Sequence, residues 1–213
     1  MDRFVQSFAA VADGDLMLCE GHGVAYQADM SRSVPYDAAY FDKYVGYEGA
    51  EISRKINAGR VALVNLYASS SKQVLDVGVG SGEFIKSRPG TFGFDVNPKA
   101  IAWLKDAGLW SERFDLFRAF TFWDVLEHVV EPDDYFKRMP KGGIYLFTSL
   151  PIFSDLKRIR ESKHYRPNEH YYYWTADGFI AWMKRYGFTL IAQQSFETDA
   201  GRENIGSFGF YRP

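Results

Sequence analysis

Cysteine is almost absent from this chain: Cys19 stands alone among 213 residues. No internal disulfide can form, and such usage suits a reducing compartment. Long apolar runs are missing too. Nothing approaches the ~20 apolar residues that a membrane-crossing helix requires. The apolar stretch from Phe4 to Val11 is short and interrupted for the core of a signal peptide, and Asp2 occupies what would be its basic flank. A soluble, cytoplasmic protein with no membrane partner is the expectation. Neither sign of charge dominates. The 25 Lys and Arg against 27 Asp and Glu leave a formal net charge of −2, which argues against a globally basic nucleic-acid binder but not against a local basic patch. Repeats, heptads and low-complexity tracts are also lacking, so the length reads as one α/β domain with additions.

Glycine, by contrast, is placed in a telling pattern. In Val74-Leu75-Asp76-Val77-Gly78-Val79-Gly80-Ser81-Gly82-Glu83-Phe84 an apolar run ends in an acid, and glycine then takes alternate positions before a short helical pattern. This is a buried strand, a tight turn and a helix start. Missing Cβ atoms let backbone approach a ligand, and a helix start offers unpaired N–H groups. A second run, Phe92-Gly93-Phe94, ends in Asp95, 19 residues after Asp76 (95 − 76). An acid at about that distance is placed to hold the two hydroxyls of a ribose. The spacing G-x-G-x-G is not the G-x-G-x-x-G of a dinucleotide turn, and Glu83 would set a negative charge near a pyrophosphate. No Gly-Lys-Ser/Thr follows, which excludes a P-loop. A cofactor with a ribose, no phosphate and a zwitterionic tail fits better, and S-adenosylmethionine (SAM) has that shape.

Leu75 to Gly82 resembles motif I of class I SAM-dependent methyltransferases. Further segments resemble the small-molecule branch of that family, which includes ubiquinone-biosynthesis-type O-methyltransferases. They are Gly93-Phe94-Asp95-Val96-Asn97-Pro98, Trp123-Asp124-Val125-Leu126-Glu127-His128-Val129, Lys141-Gly142-Gly143 with the strand after it, and Glu169-His170-Tyr171-Tyr172-Tyr173-Trp174 followed by Tyr186-Gly187-Phe188. The resemblance runs from about Gln73 to Pro213. It implies a Rossmann-like α/β fold with a mainly parallel seven-stranded sheet, a C-terminal antiparallel hairpin and an N-terminal helical and aromatic extension. It implies cofactor contacts from Asp76, Gly78, Gly80, Gly82, Phe84, Asp95, Val96 and Asp124, with S-adenosylhomocysteine as product. His128 is the candidate to take a proton from an acceptor hydroxyl or amine, with Glu127 beside it; the alternative is a histidine that packs structurally. In the ubiquinone-type relatives the matching acid-x-x-acid-His can hold a divalent ion. Asp124 is shorter than the glutamate usual there, and no metal ligand is assigned. The acceptor is expected to be a small molecule, methylated on O or N. A nucleic-acid methyltransferase and a non-catalytic SAM-binding module are the alternatives.

Residues 1–72 read as an N-terminal extension with lid helices, and 73–213 as the SAM-binding domain. Within the first, Tyr36, Tyr40, Tyr44 and Tyr47 recur at helical spacing beside Phe41, a stripe that packs on the body or closes over the site. A helix is predicted from about Ala50 to Tyr67. Pro89 cuts the helix after the glycine turn to little more than one turn. Between Gly108 and Phe122 a third strand must be very short, which leaves Glu112 or Asp115 as adenine contacts. Asn97-Pro98 starts a helix, Thr175 caps another to about Tyr186, and Phe188–Phe196 with Ile205–Tyr211 form the closing hairpin. Lys157 to Arg166 is locally basic with aromatics behind it: a solvated face, or a seat for an anionic acceptor such as a phosphorylated metabolite or nucleic acid. His170 is read as fixing this loop against the body. Cys19-x-x-His22 is half of a metal spacing and reads as a packed loop thiol.

Overall fold

The computed structural model describes residues 10–31, 50–69 and 72–213. The aromatic stripe from Tyr36 to Tyr47 lies outside the described residues. Three short strands come first: β1 (Val11–Asp13), β2 (Leu16–Cys19) and β3 (Val24–Gln27). Helix α1 (Glu51–Tyr67) precedes an alternating series of β4 (Val74–Val77), α2 (Glu83–Ser87), β5 (Thr91–Phe94), α3 (Pro98–Asp106), β6 (Ala119–Trp123), α4 (Asp133–Arg138) and β7 (Ile144–Pro151). The chain closes with β8 (Tyr172–Trp174), α5 (Ala176–Lys184), β9 (Thr189–Gln194), α6 (Phe196–Asp199) and β10 (Ile205–Arg212).

The main sheet has the order β5-β4-β6-β7-β10-β9. Its first four strands run parallel, and β10 lies antiparallel between β7 and β9. All five residues of β6, Ala-Phe-Thr-Phe-Trp, are buried, as a central parallel strand covered on both faces requires. Among the described residues the sheet has six strands rather than the expected seven. A single parallel bridge between Gly93 and Trp110 stands in the place of the missing one. The cause is length: α3 and its turn run to Gly108, and the chain must reach β6 at Ala119 through a 3-10 turn at Phe114–Leu116.

Local capping chemistry sets the helix starts. The Asn97 side chain accepts from Lys99 N at 2.9 Å with Pro98 in the first turn, and Thr175 Oγ1 accepts from Gly178 N at 3.1 Å. Helix α5 then buries Phe179 against Trp174, Trp182 and Phe208, with ring centroids 5.3, 5.7 and 5.2 Å away. Phe179→Ala should lower stability by about 3–5 kcal/mol, because the cavity left among stiff aromatic neighbours cannot collapse. The midpoint of urea unfolding measures it.

A second, antiparallel sheet has the order β1-β2-β3-β8. Its strands are three or four residues long, too short for a two-residue period to be read in residues 1–47. Strand β8 joins the two sheets. It pairs with β3 in the register Val24↔Trp174, while Tyr171 N donates to Glu127 O at 2.7 Å and Phe153 N donates to Trp174 O at 2.9 Å. The small sheet is thereby anchored just beyond the carboxyl ends of β6 and β7.

Candidate functional site

A cavity of about 540 Å³ opens at the carboxyl ends of β4, β5 and β6. Open α/β sheets bind ligands there, because loops leaving adjacent strands diverge and leave a crevice. Its floor is the glycine turn. Gly78, Gly80 and Gly82 all have positive φ, at 76°, 53° and 78°. Beyond that they differ. A Cβ on Gly80 would meet nothing within 4 Å, so this glycine borders open space. One on Gly78 would strike Val125 at 2.6 Å, and one on Gly82 would strike the Trp103 ring at 2.4 Å. Gly78 and Gly80 line the cavity, whereas Gly82 stands behind the turn, packed on α3. Phe84 and Val96 line the cavity as well.

Asp95 pins the turn it faces. Its two oxygens accept from Val79 N and Asn97 N, each at 2.8 Å. Burial pushes its pKa up, against the backbone N–H groups that favour the charged form. Asp76 is buried at the end of β4, where Thr121 Oγ1 donates to it at 2.6 Å. Burial pushes its pKa up to about 7, with the Thr121 hydrogen bond and the charge of Arg60 opposing. The stability Asp76 contributes through its raised pKa is fully present below 3.8 and is lost as pH rises through about 7. Asp76→Asn should therefore gain on the parent between pH ~4 and pH ~7; urea unfolding at several pH values tests this.

Asp124 lines the cavity, at a positive φ of 55°, but its carboxylate is taken up by arginines. Arg202 donates to both oxygens, at 2.8 and 2.9 Å, and Arg60 donates to one at 2.9 Å. The same two guanidiniums hold Glu197, whose side chain is 0% exposed: Arg60 reaches it at 2.8 and 3.0 Å, and Arg202 donates to it as well. Burial alone would raise the pKa of Asp124, yet Arg202 and Arg60 hold it well below the usual carboxylate range. Arg60 also lies over the Trp123 ring, 4.9 Å from its centroid. Sequence reasoning missed Arg60, Glu197 and Arg202. Arg60 carried a signal, since it shares the buried face of α1 with Ile56 and Leu63 at helical spacing. Glu197 and Arg202 carried none.

His128 lines the cavity, and Glu127 is buried behind it. His128 Nδ1 donates to the Glu169 carbonyl at 2.9 Å, which makes Nε2 the lone-pair nitrogen. Burial keeps His128 neutral, and burial together with the Asp124 charge pushes Glu127 well above its ordinary range. The His170 ring stands edge-on to His128 with centroids 4.5 Å apart, and burial pushes its pKa down to about 2. Both Glu169 and Tyr171 are clasped to the Glu127–His128 turn through backbone groups, and this brings His170 to the site.

Other candidates stand elsewhere. Glu112 and Asp115 do not line the cavity, and Asp115 is paired with Arg113 at 2.7 Å. The basic stretch is neutralised. Lys157 faces Glu20, Arg158 faces Glu161, Arg160 faces Asp13 and Asp15, Lys163 faces Glu203, and Arg166 faces Glu169, all within 3.4 Å. Cys19 Sγ lies 3.1 Å from His22 Nδ1, and among the described residues no third ligand joins them.

A parallel sheet closed by an antiparallel hairpin, with a glycine turn and ribose-spaced acid at its carboxyl edge, defines the Rossmann-like methyltransferase fold. A family model described as a methyltransferase domain matches residues 49–193, and the chain belongs to that family. Among solved structures, the magnesium protoporphyrin IX methyltransferase of Synechocystis PCC 6803 with bound SAH is similar at 13% identity and TM-score 0.59, over 84% of this chain and 96% of that one. A SAM-dependent methyltransferase of Thermotoga maritima is similar at 11% identity and TM-score 0.60, over 82% and 97%. The 1,6-didemethyltoxoflavin-N1-methyltransferase of Burkholderia thailandensis, with bound 1,6-didemethyltoxoflavin and S-adenosylhomocysteine, is similar at 14% identity and TM-score 0.54, over 95% and 97%. No curated protein matches the chain in sequence. Among the described residues no helix is long and apolar enough to cross a membrane.

Proposed function

We propose that this methyltransferase moves one methyl group from SAM to an oxygen or nitrogen of a small molecule. The observation that carries the reading is the open space at Gly80 beside the Asp95 carboxylate, in one cavity that His128 also lines. SAM supplies a methyl carbon made electrophilic by its sulfonium. Asp95 grips the ribose hydroxyls, and Gly78 and Gly80 let backbone lie against the methionine part. Asp76, whose carboxylate takes a hydrogen bond from Thr121, suits the amino group. Phe84 and Val96 close the apolar sides. Asp124 acts through the arginines it orients, and their guanidiniums suit a carboxylate. His128, with Glu127 behind it, serves the acceptor. Ser53, Ile56 and Arg60 of α1 line the same cavity, which supports residues 1–72 as its cover and the excluder of water.

A small acceptor is favoured over nucleic acid because every lysine and arginine from Lys157 to Arg166 already has an acidic partner. Calorimetric titration of the full chain with SAM and S-adenosylhomocysteine tests the reading. One site for each is expected, and no binding of either at millimolar ligand would overturn it.

A further inference from the structure

Two buried polar atoms in the cavity wall, Asn57 Oδ1 and Trp123 Nε1, have no hydrogen-bond partner among the described residues. Both residues line the cavity, and each is only 6% exposed. Asparagine is a poor choice for the buried face of a helix, because it forms helix weakly and its amide must be desolvated. Asn57 nevertheless stands there in α1, one turn before Arg60. The other half of its amide fixes how it is turned. Nδ2 donates to Ser53 O at 3.0 Å and to Glu83 Oε2 at 3.2 Å, so turning the group over would set Oδ1 against two acceptors. Oδ1 is therefore a fixed acceptor that lacks a donor. Trp123 Nε1 is its complement, a donor that lacks an acceptor.

The two residues belong to one closed circuit of contacts. Asn57 ties α1 to Glu83 at the start of α2. The next residue, Phe84, stands edge-on to Trp123 with ring centroids 5.3 Å apart. The Arg60 guanidinium lies 4.9 Å from the centroid of the Trp123 ring, and Arg60 and Asn57 are neighbours on the surface of α1. Asn57, Arg60, Glu83, Phe84 and Trp123 all line the cavity. A ligand group that meets this circuit must offer a donor and an acceptor side by side. Its positive charge belongs near Glu83 and its negative charge near Arg60. An α-amino acid zwitterion is such a group.

We propose that Asn57 and Trp123 hold the amino-acid tail of SAM, with Asn57 Oδ1 accepting from its ammonium and Trp123 Nε1 donating to its carboxylate. The assignment rests on the methyl-transfer reading and extends it from the ribose to the far end of the cofactor. The ammonium has three N–H groups, enough for Asn57 and Asp76 together, and the carboxylate has two oxygens, enough for Trp123 beside a guanidinium. Each contact satisfies an atom that is already desolvated, so each should contribute about tenfold or more to affinity. Because Asn57 sits on α1 and Trp123 at the end of β6, the tail also fastens α1 across the cavity. A nucleoside without the tail leaves both atoms unsatisfied and binds weakly.

The test is calorimetry of the full chain with three probes. S-adenosylhomocysteine has the whole tail, its decarboxylated analogue keeps only the amine, and methylthioadenosine has neither group. The parent should lose about tenfold or more in affinity when the carboxylate goes, and about tenfold or more again when the amine goes. Trp123→Phe keeps a ring beneath Arg60 and should shrink the first step by about tenfold, leaving the affinity for methylthioadenosine unchanged. Asn57→Leu should shrink the second step by about tenfold and spare the first. A purely structural role would weaken all three probes alike. Asn57→Ala and Trp123→Leu stand in for a variant that does not fold. Equal affinity of the parent for the three probes, or steps within about threefold of the parent in the folded variants, overturns the proposal and leaves the cofactor reading standing. No binding of any probe defeats both.

Discussion

Glu197→Gln should destabilise the protein by roughly 3–5 kcal/mol, the cost of breaking a buried ion pair from one side. Glu197 is fully buried and takes hydrogen bonds from both Arg60 and Arg202. Without its charge, two guanidiniums share one remaining acid, Asp124, and a desolvated cation is left in excess. Removing charge from both sides should hurt less than the two single changes added together. The double variant Arg60→Met with Glu197→Met should recover about 2–3 kcal/mol against additivity, because these residues are in direct contact. Urea unfolding of the four proteins closes the cycle. Strict additivity would mean that the cluster is four separate contacts and not one unit. The network also sets a pH response. The stability that Asp124 contributes through its depressed pKa is present above 3.8 and is lost only as pH falls through the lower folded-state value.

Asp95→Ala should weaken SAM binding by about 100-fold or more. Hydrogen bonds to a charged group contribute about 1.5–3 kcal/mol each, two are expected to the ribose, and every 1.4 kcal/mol is about tenfold. The same change strands Val79 N and Asn97 N, which now donate to this carboxylate at 2.8 Å, so the glycine turn should also loosen. Asp95→Asn keeps one strong acceptor and should fall between parent and alanine. Calorimetry with SAM, beside urea unfolding of each variant, separates lost contact from lost order. Affinity within about threefold of the parent in folded Asp95→Ala would remove the ribose role from this residue.

Much of the site was legible because its geometry is local. A strand, three alternating glycines and an acid are backbone instructions written over a dozen residues, and the structure places Gly78, Gly80 and Asp95 around one cavity. Gly82 obeyed the same spacing for a different reason: its missing side chain makes room for Trp103. The helix caps at Asn97 and Thr175 were equally readable, since each side chain reaches only two or three residues along its own chain. The N-terminal strands were not readable, because β3 finds its partner in β8, 150 residues later (174 − 24), and too few residues are involved to display a period.

The residue order alone thus determined the strand-and-helix alternation, the glycine turn and the acid that faces it, since short-range sterics and capping decide those. Only the tertiary structure decided which charges meet. Arg60 and Glu197 are 137 positions apart, Asp124 and Arg202 are 78 apart, and His170 reaches Glu127 through a strand that belongs to the second sheet. Such pairings depend on strand order and on how one sheet is laid against another. Desolvation then turns these charges from bystanders into the strongest electrostatic features of the cavity.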